Sequence, residues 1–164
     1  MPGVRRDRNL NSIAPLAADD IKWTADAVDS LIKNDIVLIQ PATRLTVTEL
    51  VAVRPPDLLA AFLDLNGYLP IGVPMLKRVL ALPGQAVCRN GLTIAVDGVD
   101  VGEAHERDGR GRLLPVWHGC RVIADGDVFI MNWQSADSLD GRYFGPLPAS
   151  AVIGRAVPVW TNEE

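Results

Sequence analysis

Met75-Leu76-Lys77-Arg78-Val79-Leu80-Ala81-Leu82, closed by Pro83-Gly84, is the stretch on which the fold turns. Apolar residues occupy both alternating faces, which predicts a strand buried on two sides and ended by a tight turn. C-terminal to it, residues 85–89, Asn90-Gly91, residues 92–96, Asp97-Gly98 and residues 99–101 alternate strands with the two strongest hairpin dipeptides, a β-meander. Beyond a polar stretch over 103–112, further strands are expected at 113–117, after a Gly119-Cys120 corner at 121–123, at 127–132, at 151–154 and at 156–160. A loop of about ten residues joins Asn132 to Arg142, the kind of connection that carries function. N-terminal to the opening stretch, Pro55-Pro56 starts a helix over 57–65, with Leu58, Leu59, Phe62 and Leu65 on one face and Asn66-Gly67 as its stop. Brief β runs are expected at 36–40 and 50–54. Ile21, Ala25, Val28 and Ile32 recur at helical spacing and predict a short amphipathic helix near 19–33. The fold class is therefore mainly β, antiparallel sheets with two short helical segments.

Composition agrees. The chain has 164 residues, 48% hydrophobic and 22% charged, which suits one compact domain. Fourteen Gly and twelve Pro argue against a helix bundle, since Gly costs helix entropy and Pro removes a donor. A net charge of -4 offers no bulk attraction for a phosphate backbone, so nucleic acid is not an expected partner. No apolar run reaches the roughly 18 residues that span a bilayer. Arg5, Arg6 and Arg8 are not followed by the apolar stretch of a secretory signal peptide. Cys88 and Cys120, with His105 and His118 at unrelated spacings, do not form a zinc pattern. They leave one disulfide or two free thiols.

Lys77 shares a strand face with Val79 and Ala81, an apolar setting in which desolvation lowers the pKa of an ammonium. A lysine kept neutral is a competent general base, as in Ser-Lys hydrolases. The alternative is a strand lysine whose stem lies along the sheet while its head reaches water. Asp108-Gly109-Arg110-Gly111-Arg112 is a basic turn without the flanking strand and helix of a phosphate cradle.

Pro74-Met75-Leu76-Lys77-Arg78-Val79, then Leu80-Ala81-Leu82-Pro83-Gly84 and Ile94-Ala95-Val96-Asp97-Gly98, resemble the lysine box of the type I signal peptidase family. Asn132 followed by Asp137-Ser138-Leu139-Asp140-Gly141-Arg142-Tyr143-Phe144-Gly145-Pro146 is similar to that family's closing motif, Asn and then Ser-x-Asp-x-Arg-Tyr-x-Gly-Pro. Gly67-Tyr68-Leu69-Pro70, Val87-Cys88-Arg89, Gly119-Cys120 and Ile153-Gly154-Arg155-Ala156 find counterparts in its conjugal-transfer maturation branch, the TraF type. The likeness covers about residues 41–160. It implies coiled antiparallel sheets in a barrel-like body, with residues 41–164 as the catalytic domain behind an atypical segment 1–40.

The resemblance further implies a serine endopeptidase with a Ser/Lys dyad, acting without metal or cofactor on an exported precursor protein or peptide. Lys77 would be the general base, Ser138 would orient it, and Asp140 with Arg142 would form an ion pair bracing the loop, for which a solvated surface pair is the alternative. The family's transmembrane segment and its nucleophile motif, Asn-x-Thr-x-Ser-x-Pro-x-Gly-Leu-Tyr, do not occur intact here. Counting back from Lys77 puts the nucleophile at or beside Leu31, one residue from Ser30. Ser12, in Asn11-Ser12-Ile13-Ala14-Pro15, ranks second because its distance from Lys77 exceeds the matched register. The periodicity places Ser30 on the polar face of a helix, so a solvated serine is its alternative. As nucleophile, Ser30 would offer its own N–H to the oxyanion, while Val28, two residues earlier, has no hydroxyl to add. Family resemblance implies the periplasmic face of the inner membrane, with the membrane surface as a further contact, and a Cys88–Cys120 bridge would favour that oxidising side. Two other readings stand beside the peptidase: a catalytically silent relative binding an extended peptide along a sheet edge, and an assembly subunit without a site.

Overall fold

The computed structural model describes residues 36–160. The helix expected near 19–33, with Ser30, and Ser12 before it, lie outside the described residues. Ten strands and two helices follow in the order β1 (Ile36–Gln40), β2 (Leu50–Val53), α1 (Asp57–Leu65), β3 (Met75–Ala81), β4 (Ala86–Asn90), β5 (Thr93–Val96), β6 (Val99–Glu103), β7 (Gly119–Val122), β8 (Asp127–Ile130), α2 (Gly141–Phe144), β9 (Leu147–Pro148) and β10 (Val152–Trp160). A six-stranded sheet runs β1-β10-β2-β3-β8-β9 and a four-stranded sheet β6-β5-β4-β7, with every ladder antiparallel. The mainly β fold expected from the sequence is the fold observed.

β3 is central, and both its faces are covered. Met75 and Val79 enter a cluster with Val51, Val53, Leu63, Val128 and Ile130, Leu76 enters a second with Val37, Ile39, Leu50 and Ala156, and Ala81 a third with Val87, Ile94, Trp117 and Phe129. Each fully buried aliphatic side chain contributes roughly 1.5–3 kcal/mol. A row of them holds β3 in place against the desolvation of the one ammonium-bearing residue on it.

Some elements depart from the sequence reading, each for a local reason. In α1 the inward face is Leu59, Phe62 and Leu63, while Leu58 and Leu65 are exposed. Spacings of three and four residues join 59, 62 and 63, which leaves 58 and 65 on the far side. The β4–β5 turn is Gly91-Leu92, with Asn90 paired to Thr93, one residue later than Asn90-Gly91 suggests. Residues 113–117 form no strand. Leu113 makes one bridge to Arg107, and Leu114 and Trp117 instead plug separate apolar clusters. Gly119 and Cys120 are not a corner but open β7, where they pair with β4. The two last strands expected are one, β10, because Gly154 carries no Cβ to strike the Gln40 carbonyl, and the strand continues past a bulge.

Cys88 and Cys120 face each other across β4 and β7 and are joined in a disulfide. Among the described residues no helix is long and apolar enough to cross a membrane.

Candidate functional site

Lys77 sits in the middle of β3, paired with Val51 of β2 on one edge, and is only 4% exposed. Strand alternation turns its side chain to the face of Met75 and Val79. Its Nζ is hydrogen-bonded to Ser138 Oγ at 2.7 Å, across 61 residues of chain, and Ser138 is fully buried. The burial excludes the strand lysine whose head reaches water.

Ser138 stands there because the loop after β8 is stapled from within. Asp140 and Arg142 are both fully or almost fully buried, and the guanidinium grips the carboxylate side-on, Nε to Oδ1 and Nη2 to Oδ2, each at 2.9 Å. The pair is therefore internal, in contrast to the solvated pair that spacing alone allowed. Arg142 Nη2 also donates to the carbonyls of Ser135 at 2.7 Å and Ser138 at 3.2 Å, and Nη1 to that of Glu103 at 3.2 Å. A planar fork with donors in fixed directions can do this, and a lysine cannot. Asp140 caps the short α2 through the backbone N–H of Arg142 at 3.1 Å and accepts from the N–H of Asn132 at 3.0 Å.

A second layer fixes α2. Arg89, itself buried, donates to the Arg142 carbonyl at 2.6 Å and lies over the Tyr143 ring, and burial lowers its pKa. Trp117 Nε1 donates to the Gly141 carbonyl at 3.0 Å. Tyr143 accepts through its hydroxyl from the N–H of His105 at 2.9 Å, and burial first of all raises its pKa. A Cβ on Gly141 would come within 2.6 Å of the Ile130 carbonyl, so only glycine lets α2 pack this close to β8.

Of the side chains singled out from the sequence, the structure brings Lys77, Ser138, Asp140 and Arg142 into one buried cluster, and sets Cys88 and Cys120 apart in the smaller sheet as a disulfide. The parts played by Asn132 and Arg89 are not legible from spacing. Asn132 reads as the last residue of a strand, whereas the ladder ends at Ile130 and its side chain does something else: Oδ1 accepts from the N–H of Arg78 at 2.9 Å and Nδ2 donates to the carbonyl of Leu76 at 3.3 Å. Chemically the cluster offers one buried amine held at a hydroxyl, beside an ion pair that adds no net charge. Among the described residues no three His, Cys, Asp or Glu side chains converge as a metal site.

Comparison with known proteins places these features in context. The family model described as signal peptidase, peptidase S26, matches residues 21–161. A conjugal transfer protein TraF of Agrobacterium fabrum is 39% identical over 124 residues, covering 69% of this chain and 68% of the relative. A probable signal peptidase I-1 of Synechocystis is 32% identical over 111 residues, covering 68% of this chain and 52% of the relative. The chain thus spans about two thirds of the one and about half of the other. Among solved structures, a signal peptidase I from Enterococcus faecalis aligns with a TM-score of 0.42 at 18% identity, covering 69% of this chain and 97% of that one.

Proposed function

The chain belongs to the signal peptidase S26 family, and from that premise we propose that it is a serine endopeptidase of the Ser/Lys type that trims an exported precursor in conjugal transfer. The observation that carries the reading is the buried 2.7 Å contact between Lys77 Nζ and Ser138 Oγ. A buried amine tied to a hydroxyl is what a general base without histidine requires: low hydration to keep it neutral, and a partner to fix its rotamer. The neutral Lys77 takes the proton of the nucleophilic serine, for which Ser30 is the first candidate and Ser12 the second. The serine oxygen attacks the scissile carbonyl, the ammonium returns the proton to the leaving amine, and the acyl-enzyme forms. Lys77 then takes a proton from water, the hydroxide attacks the ester, and the ammonium returns that proton to the serine oxygen as it leaves, which frees the serine and the neutral amine. Asp140 and Arg142 hold the loop that presents Ser138.

The substrate is a precursor with small residues before the cut, and the place of action is the periplasmic face of the inner membrane. The Cys88–Cys120 disulfide supports an oxidising compartment.

The test is cleavage of a precursor peptide bearing an Ala-x-Ala site, in detergent or lipid, by the unmodified chain, Ser30→Ala, Ser12→Ala and Lys77→Ala. Turnover lost in Lys77→Ala and in one serine variant is the expected result. Turnover retained in Lys77→Ala refutes the dyad. An unmodified chain that binds the peptide without cutting it is instead the silent relative.

A further inference from the structure

The side chain of Asn132 does the work of a missing strand. β8 pairs with β3 as far as Ile130, and the N–H of Met131 still donates to the Arg78 carbonyl at 2.9 Å. Beyond that the chain turns away into the loop that carries Ser138, and the β3 edge beside Lys77 would be left bare. The Asn132 amide fills this gap. It accepts from the N–H of Arg78 and donates to the carbonyl of Leu76, the pattern a neighbouring strand would offer. These two groups belong to the two peptide units that meet at the Lys77 Cα, so one side chain pins both. The main chain of Asn132 is tied to the other half of the site: its N–H to Asp140 and its carbonyl to Arg142 Nη2 at 3.4 Å.

We infer that Asn132 is a positioning residue for Lys77, joining the strand that carries the amine to the loop that carries Ser138 and so setting the distance between them. The inference rests on the Ser/Lys reading for its effect on rate, though not for its effect on the lysine. Asn132 is 2% exposed, so water cannot replace it. The short amide provides the donor and the acceptor on two separate atoms at this reach. Asp keeps the acceptor and loses the donor, and Ala loses both.

The test uses the full chain with Asn132→Ala and Asn132→Asp. The protein has three lysines, Lys22, Lys33 and Lys77, so with isotope-labelled lysine the Lys77 ε-carbon resonance is assigned by its loss in Lys77→Ala. In both Asn132 variants that resonance is expected to move while those of Lys22 and Lys33 stay. With the Ala-x-Ala peptide, kcat should fall about ten- to a hundredfold at a KM within about twofold, as a misplaced reacting group demands. In the unmodified protein the Arg78 amide should exchange slowly with solvent, a measurement that needs no variant. An unmoved Lys77 resonance, an activity loss no larger than the unfolded fraction, or a freely exchanging Arg78 amide overturns the inference. Should the unmodified chain cleave nothing, the peptidase reading falls, and the resonance and exchange measurements still decide whether Asn132 positions Lys77.

Discussion

Replacing Arg142 by Met keeps much of the volume and removes the guanidinium. Asp140, 0% exposed, then retains only two backbone donors, the N–H groups of Asn132 and of residue 142, for a full negative charge. Removing one partner of a buried pair costs about 3–5 kcal/mol, because the other charge is left uncompensated. The carbonyls of Ser135, Ser138 and Glu103 also lose a donor, each worth about 1 kcal/mol where water does not reach it. The total, on the order of 5 kcal/mol, is a large share of the roughly 5–15 kcal/mol that holds a domain together. At about 2–4 °C per kcal/mol the melting temperature should fall by on the order of 10–20 °C. The assay is urea unfolding followed by tryptophan fluorescence, to which Trp117, bonded to α2, is an internal reporter. The double variant Asp140→Asn with Arg142→Met removes the orphaned charge as well, and should be more stable than the sum of the two single losses by about 1–3 kcal/mol. A single-variant loss below about 1 kcal/mol, the worth of an exposed pair, would refute the reasoning, and so would strict additivity.

Gly141→Ala should destabilise the protein by about 1–3 kcal/mol, since the new methyl meets the Ile130 carbonyl and, at 2.7 Å, the Phe129 ring; a thermal melt unchanged within a degree would show that the loop shifts freely. Cys88 and Cys120 are 32 residues apart, and changing both to Ser should cost roughly 3–4 kcal/mol of the loop-closure entropy that the bridge removes from the unfolded chain, read by denaturant titration with and without reductant. Asp108 is held below the ordinary carboxylate range, first by the hydroxyl of Tyr68 and then by donors from Arg112 and Arg110. A group with a lowered folded pKa adds stability above its unfolded pKa, near 3.9, and loses it as pH falls through the folded value. The gap in melting temperature between the unmodified protein and Asp108→Asn should therefore be flat above about pH 5 and narrow below about pH 4. A gap that widens in acid would reverse the assignment.

Residues close in sequence or set by a period of two carried most of the fold. β1, α1 and β3 fall where their patterns place them, and Asp97-Gly98 turns where the dipeptide does, with both residues at positive φ. The same patterning put Lys77 on an apolar strand face, and the two motifs named the residues of the cluster. Patterning has no reach across space, and there the reading stopped. It could not choose between a buried and a solvated Asp140–Arg142 pair, because burial is decided by what packs over the loop, here Arg89, Trp117 and Glu103 from distant segments. Two free thiols and a disulfide were equally allowed until the pairing of β4 with β7 set Cys88 opposite Cys120. Leu113 to Trp117 failed as a strand because Leu114 and Trp117 are plugs in separate clusters while Leu113 and Val116 are exposed, which a local period cannot distinguish from a ladder. The amide of Asn132 belongs to the same class: its partners lie 54 and 56 residues away, and only the folded chain brings Leu76 and Arg78 within its reach.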